Sequence, residues 1–564
     1  MSLNGALEVG RSGLIASQTA LQVTGSNLAN AATEGYTRRA VHLQPKRDEM
    51  GFGGQYVGRG VEVGAITRVI DESLLARLRD AIGEEQAAKA ERNFLSQLEA
   101  LQNELSENDL SSLLSEFFNS WSEVANNPED GATRAVVIQQ GVSVASRIST
   151  LREDYASLRN QIDEQIENTV ETINDVVGRI GQLNFEIAQL EVEAGEAASL
   201  RDQRDQLVNE LSEHFELDVV EMPSGAVNVL VNSLPIVLAA DAPGIELRRE
   251  SVGDQLDVRL AVRDRGFEFE PTSGTLGALM RARNQGVNRA IDELETLAGT
   301  LVTEVNRIHS SGQAQVPVTQ YVGANPVNLL TENLNHGDVG LPSEIRNGSL
   351  LVHVTHQATG QRVTHRVDVD GDTMSLQDLT AELSTSLGGA QMTASIDAER
   401  RLVITADPGY AISFSDDTSG ALAALGINTF FTGTGAGDID VASVLKDAPA
   451  RLAVGKDHVG GSNGTALDIA AMQDARLEDL GELSLREYWQ NAVNQLAVRS
   501  GQAGTAVETN GLVRESLDAQ FQSISGVSID EETISLLSYQ RQFQAASRYI
   551  STIDETLQEL LRLV

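Results

Sequence analysis

The sequence predicts a multidomain α + β protein. It has terminal coiled-coil-like helices, a long helical bundle made from both halves of the chain, and inserted β-rich outer domains. Three observations predict this. Apolar residues recur at alternating steps of three and four along the C-terminus, at Leu536, Tyr539, Phe543, Ala546, Ile550, Ile553, Leu557, Leu560 and Val564. Leu7, Leu14, Leu21 and Leu28 stand seven apart at the N-terminus, with Leu3 four residues before Leu7. Between these ends the hydrophobic period switches twice from helical to alternating and back. An apolar stripe at such spacing asks for a partner helix, so both ends point to assembly rather than to chemistry.

Taken in order, residues 3–31 read as one helix, broken by Asn30, Thr33 and Gly35 and then by the run Gly51-Phe52-Gly53-Gly54. Gly58-Arg59-Gly60 leads into the alternating Val61-Glu62-Val63-Gly64-Ala65-Ile66, an extended or hairpin segment. Residues 71–212 are almost wholly helical in pattern. Their clearest piece spans 160–191, with Ile166, Thr169, Ile173, Val176, Ile180, Leu183, Ile187 and Leu190 at heptad positions, so it should pack lengthwise against other helices. Asn126-Asn127-Pro128-Glu129-Asp130-Gly131 is a turn between two helices. Leu217–Met222 and Val227–Val231 flank Pro223-Ser224-Gly225, a hairpin signature.

Helices return over 275–310. Strands such as Leu350–Val354 and Arg401–Ile404 mark 316–455, and helical patterning resumes near Thr465. A helical domain that is left and re-entered is made of segments distant in sequence, with the β regions hung on it. The expected division is 1–50 with 525–564 as a terminal tube-forming domain and 51–212 with 273–315 and 456–524 as the bundle. Residues 213–272 form a small β-rich insert, and 316–455 an outer one that should be removable with assembly retained.

Composition narrows the function classes. The chain has 564 residues, 81 acidic against 42 basic, and a formal charge of -39. That balance repels phosphate backbones and anionic lipid, so neither nucleic acid nor a membrane is an expected partner. Only Glu8 and Arg11 are charged in residues 1–33, as suits a helix surrounded by protein. With no cysteine, disulfides, thiolate metal sites and Cys nucleophiles are excluded. The start lacks a basic n-region and an apolar h-region, and the longest clean apolar run, Leu234–Ala240, is far short of a membrane span.

No constellation supports catalysis, a metal or a cofactor. His309 stands alone, and a turn or capping role suits it better than that of a general base. Asp368-Val369-Asp370-Gly371-Asp372 begins like a calcium loop, but Thr373 replaces the glycine at position six and Leu379 the glutamate at position twelve, leaving a β-turn between strands as the reading. The glycines of 51–60 lack the Lys-Ser/Thr of a phosphate loop. Arg201 and Asp205 sit one helical turn apart. An exposed pair there contributes about 0.3–0.5 kcal/mol, whereas a buried one would fix helix register.

The run Ser26-Asn27-Leu28-Ala29-Asn30-Ala31-Ala32-Thr33-Glu34-Gly35-Tyr36-Thr37-Arg38 closely resembles the signature shared by flagellar rod, hook and hook-associated proteins. Further matches resemble the hook-filament junction branch of that axial family. They are Gly58-Arg59-Gly60-Val61 with Arg68, Asp71 and Leu74-Leu75; Leu200-Arg201-Asp202-Gln203-Arg204-Asp205; Gly274–Leu279 with Arg283; Val305–Gly312; and Gly526–Glu532. The stretch 316–455 is not covered, and Gln313-Ala314-Gln315-Val316-Pro317 departs from the family's usual Asp, Gly and aromatic residues.

The resemblance implies export without a cleaved signal, a place in the extracellular flagellum, and self-association in the axial lattice. It also implies hook protein, hook-associated protein 3 and an export chaperone as partners. The implied assembly interface is Leu3, Leu7, Leu14, Leu21, Leu28, Asn27, Asn30, Thr33, Gly35 and Tyr36 with Leu536, Tyr539, Phe543, Ile550, Ile553, Leu557 and Leu560. Another axial protein (hook or distal rod) is the neighbouring alternative. A glycan-binding or hydrolase module in the outer insert is the alternative from another class. Each buried Leu, Ile or Phe contributes roughly 1.5–3 kcal/mol. Ordering the backbone costs about 1–2 kcal/mol per residue. Residues 1–30 and 530–564 are therefore expected to order only against a neighbour's helices.

Overall fold

The structure, a computed structural model, describes residues 3–50, 56–104, 109–252, 255–386, 391–456 and 459–563. The glycine run at 51–54 and Val564 lie outside them. The helices are α1 (Leu3–Ala29), α2 (Glu72–Gln102), α3 (Leu110–Asn126), α4 (Gly131–Ala194), α5 (Ala198–Ser212), α6 (Gly274–Arg281), α7 (Asn288–Ser310), α8 (Leu376–Ser386), α9 (Ala421–Ala424), α10 (Ser443–Asp447), α11 (Gly464–Ala471), α12 (Leu485–Ser525) and α13 (Ile529–Leu563). This is the α + β mixture of helices and small sheets that the change of period predicts. Two compact units emerge, one of residues 1–94, 162–282 and 501–564, the other of 95–161 and 283–500.

In the first unit α1 and α13 pack together antiparallel, Gly10 facing Ile550 and Asn27 reaching Glu532. The terminal segments expected to wait for a neighbour's helices are therefore already paired within one chain. Each stripe finds its first partner at the opposite end of its own sequence. A hairpin pairs Arg39–Pro45 with Val61–Arg68, bulged between His42 and Leu43. Leu74, Leu78 and Ala81 of α2 join Leu517 of α12 in a small apolar cluster that also holds Ile82 and Phe521.

Two three-stranded antiparallel sheets complete this unit. One holds Asp218–Glu221, Val227–Val231 and Leu234–Val237; the other holds Ile245–Val252, Gln255–Val262 and Glu268–Phe269. The heptad helix begins at Gly131, well before the predicted 160. Its Ile166, Ile173, Val176, Ile180 and Ile187 are buried, while Leu190 is 52% exposed. It is fastened to strands rather than only to other helices. Asn184 donates to the Val227 and Ala239 carbonyls and accepts from the Val227 amide, and Asn174 bonds both backbone groups of Ile245. Heptad spacing specifies an apolar stripe without specifying what covers it.

In the second unit α3 contributes Phe117, Phe118 and Trp121 to an aromatic core shared with Phe430 and Phe431. The Asn306 amide of α7 secures those phenylalanines, accepting from the Phe430 and Phe431 amides and donating to the Phe431 carbonyl. The insert has two sheets, one centred on Gly348–His356 and the other on Leu402–Ala406, with α8 packed beside them. Its own hydrophobic core runs from Val318 to Ile427. The boundary drawn at 455 therefore cuts too late, because residues beyond 427 pack with α3 and α7. The Asp368–Asp372 turn leads from a strand into α8 rather than between strands. Asp370 accepts from the Asp372 amide and the Thr373 hydroxyl, so the segment closes on itself as a turn.

Candidate functional site

The candidate site is the paired termini and the polar node that anchors them, all within the first unit. α1 meets α13 through small residues. Gly10, Ser17, Ala20, Thr24 and Asn27 are buried at helical spacing, with Gly13 between them. A Cβ on Gly10 would lie 2.8 Å from Ile550 and 3.0 Å from Tyr549, so only glycine admits α13 this closely. On a neighbouring face Ser12 Oγ accepts from the Val61 amide at 3.1 Å and ties α1 to the hairpin. Gly60, at φ +97°, faces Ser12 where a side chain would collide, and its backbone angle is one that only glycine adopts without strain.

At the far end of the pair the signature run forms the node. Asn27 is 1% exposed and uses its whole hydrogen-bonding capacity. Nδ2 donates to the Arg39 carbonyl at 3.0 Å and to Glu532 Oε2 at 3.1 Å. Oδ1 accepts from the Tyr36 hydroxyl at 2.8 Å and the Arg39 amide at 3.1 Å. Arg38 Nε donates to Glu532 Oε1 at 2.8 Å, and the Arg38 amide donates to the Ser525 carbonyl. The Arg39 guanidinium stacks 5.0 Å from the centre of the Tyr36 ring.

A second layer joins this node to α5. The Thr37 hydroxyl donates to Asp202, Arg39 donates to Ser199, and Gln206 donates to the Glu34 carbonyl. Arg68 of the hairpin reaches Glu196 at 3.0 Å, Asp202 at 3.1 Å and Asp205 at 2.7 Å. Asp205 also faces Arg79 and Arg204. Burial would raise the Asp205 carboxyl, but Arg68, Arg79 and Arg204 outweigh it and hold the group below the usual carboxylate range. Burial lowers Arg79. Burial likewise pulls Arg68 down, yet Asp205 and Asp202 carry it above its ordinary value. Arg201 and Asp205 do not pair with each other. Arg201 holds Glu191 and Glu221, Asp205 holds Arg68, and both side chains are half-buried.

The sequence-derived interface residues divide by burial. Asn27 and Ile553 are buried; Leu3, Leu7, Leu14, Leu21, Asn30, Tyr36, Leu536, Tyr539, Phe543, Ile550 and Leu557 are half-buried; Leu28, Thr33, Gly35 and Leu560 are exposed. The leucine heptad of α1 is thus not the face buried most deeply. Small residues are, because they allow the closer helix approach. Further apolar side chains, including Ile534 at 69% and Leu561 at 74% exposure, lie uncovered on α13. The leucine reading missed Gly10, Ser17, Thr24 and Glu532, although the three-four spacing of small residues was a legible signal for the first three.

His309 lies in the second unit and is fully buried. Its Nδ1 donates to the Asn428 carbonyl at 2.8 Å, and its Nε2 accepts from the Ala453 amide at 3.0 Å. Burial pushes it down to about 4, so it is a neutral structural clamp at the end of α7. Asn428 returns bonds to the carbonyls of His309, Ser310 and Gly312. Among the described residues no group of His, Asp and Glu is arranged to hold a metal ion, and no helix is long and apolar enough to cross a membrane.

The chain is similar to known flagellar proteins. Residues 95–317 match the model of the flagellar hook-associated protein FlgK helical domain. Residues 7–37 match that of the flagella basal body rod protein, and 519–563 that of the flagellar basal body rod FlgEFG protein C-terminal region. The chain is 24% identical to flagellar hook-associated protein 1 of Bacillus subtilis (98% of this chain, 97% of that protein). It is 24% identical to the one of Escherichia coli (98% of each) and 25% identical to that of Salmonella typhimurium (98% of each). The fold is similar to that of the flagellar hook junction protein FlgK from Burkholderia pseudomallei, with a TM-score of 0.50 and 16% identity over 80% of this chain and 100% of that one.

Proposed function

We infer that this chain, which belongs to the flagellar hook-associated protein 1 family, is a structural adaptor of the bacterial flagellum that joins hook to filament. One observation carries the reading. The two termini pair into a helical rod whose apolar stripes are only half covered within a single subunit. Two helices cannot bury a stripe all round, so the remainder calls for neighbouring rods of the same kind. The near absence of charge from residues 1–33 supports an environment made of protein.

Self-association in the axial lattice follows, with hook protein on one side and hook-associated protein 3 on the other. Export proceeds without a cleaved signal, and an export chaperone covers the amphipathic C-terminal helix beforehand. The function is mechanical, and the chain is not read as an enzyme. The insert around 318–427 is an outer decoration. Electron microscopy of cells lacking the protein tests the assignment. Hooks without filaments, and flagellin lost to the medium, are expected. Normal filaments on such cells would end this reading.

A further inference from the structure

The α1–α13 seam poses a register problem. The α1 face presents Gly10, Gly13, Ser17, Ala20 and Thr24, a row of small side chains of similar size. The α13 face offers apolar residues every three or four positions, from Leu536 to Leu557. Sliding one helix past the other by a heptad sets small residues against apolar ones again, so packing alone discriminates weakly between registers. Something at one end must choose.

We propose that Asn27 and Glu532 form a register latch that fixes how α1 and α13 align and docks the aligned pair on the hairpin. Both side chains are buried, at 1% and 2% exposure, although 505 positions separate them in the chain. Each is satisfied only in this alignment. Asn27 bridges Glu532, the Tyr36 hydroxyl and both backbone groups of Arg39, and Glu532 takes its second bond from Arg38. A slip of seven residues would oppose Asn27 to Tyr539 on one side or to Ser525, already outside α13, on the other. It would also strand the Glu532 carboxylate and the Asn27 amide. A buried polar pair that is fully bonded in one register and orphaned in the others specifies that register. Gly10 adds a steric mark, being the position that admits Ile550 and Tyr549.

The test uses the absence of native cysteine. A Cβ at Gly13 would lie 3.9 Å from the Ala546 Cβ, inside the about 3.5–4.5 Å range of a disulfide, so G13C/A546C reports the native register. In the full chain, G13C/I553C and G13C/Y539C report slips of one heptad either way. With the latch intact, G13C/A546C should oxidise to a crosslink and the other pairs should not. Asn27→Asp sets a second carboxylate against Glu532, and the native crosslink should fall several-fold. Adding Glu532→Gln restores the bond between the two side chains, since the introduced amide can donate to the introduced carboxylate and still accept from Arg38, while the Arg39 carbonyl stays without its donor. The N27D/E532Q variant should therefore recover part of the native crosslink lost in N27D. A native crosslink undiminished by N27D overturns the proposal, as does a double variant no better than N27D. The disulfide reads helix alignment alone, so its outcome does not depend on the junction assignment.

Discussion

Asp205→Asn is the most informative single perturbation of the charge network. Asp205 faces three guanidinium groups, with Arg68 at 2.7 Å, Arg79 at 3.5 Å and Arg204 at 3.6 Å. Those side chains are 3%, 5% and 1% exposed, so water cannot replace the lost carboxylate. Arg68 would keep Glu196 and Asp202; Arg79 would keep Asn209, and Arg204 the Gly225 carbonyl. Removing one partner from a buried ion network costs about 3–5 kcal/mol. The same change in an exposed pair costs only about 0.3–0.5 kcal/mol. The assay follows from where the tryptophans lie. Trp121 and Trp489 both belong to the second unit, so their fluorescence follows that unit in a denaturant titration. Hydrogen exchange of peptides covering 61–68 and 198–212 follows the first. D205N should strip protection from those peptides while the tryptophan transition stays near its original midpoint. A loss below about 1 kcal/mol at those peptides would refute the claim that this network is buried and mutually dependent. Acid should act in the same direction. Asp205 is held below the usual carboxylate range, so its contribution is complete above the unfolded value near 3.9 and is lost as pH falls through the lower folded value.

Five further outcomes are expected. His309 is held at about 4 against an ordinary 6.5, so its contribution is complete above pH 6.5 and declines by about 3 kcal/mol toward pH 4. Denaturant midpoints read by tryptophan fluorescence should fall over that window, and an equal slope in His309→Gln would exclude this residue as the cause. Gly10→Val drives a side chain into Ile550 and Tyr549 and should weaken the terminal pair by about 1–3 kcal/mol. Gly25→Ala, with nothing within 4 Å, should strengthen α1 by about 0.5–1 kcal/mol, and exchange protection of α1 distinguishes the two. Leu14→Asp, at a half-buried position, should leave the isolated chain folded yet block its incorporation at the hook end; unaltered filament growth would contradict that. Replacing 316–427 by a short linker should preserve the tryptophan environment, since Asn428 already reaches the Gly312 carbonyl, whereas removing 316–455 should collapse it by taking away Phe430 and Phe431.

Local patterns were legible in the residues because their causes are local. Period-3.6 stripes marked α1, α4 and α13, and Pro223-Ser224-Gly225 marked a hairpin. The break after Asn126 ended α3 because Asn127, Pro128 and Asp130 favour a turn over a further helical bond. Tertiary structure alone decided who covers each stripe. An apolar row constrains the face, not its partner, so the sequence was equally consistent with a neighbour's helix and with the chain's own far end. The same reason explains α4, whose seam is strapped to strands by Asn174 and Asn184. It also explains Asp205, where an Arg-Asp spacing of one turn concealed a network drawing Arg68 from one segment and Arg79 from another. Burial and long-range hydrogen bonding depend on what arrives from elsewhere in the chain, and no window of neighbouring residues contains that information.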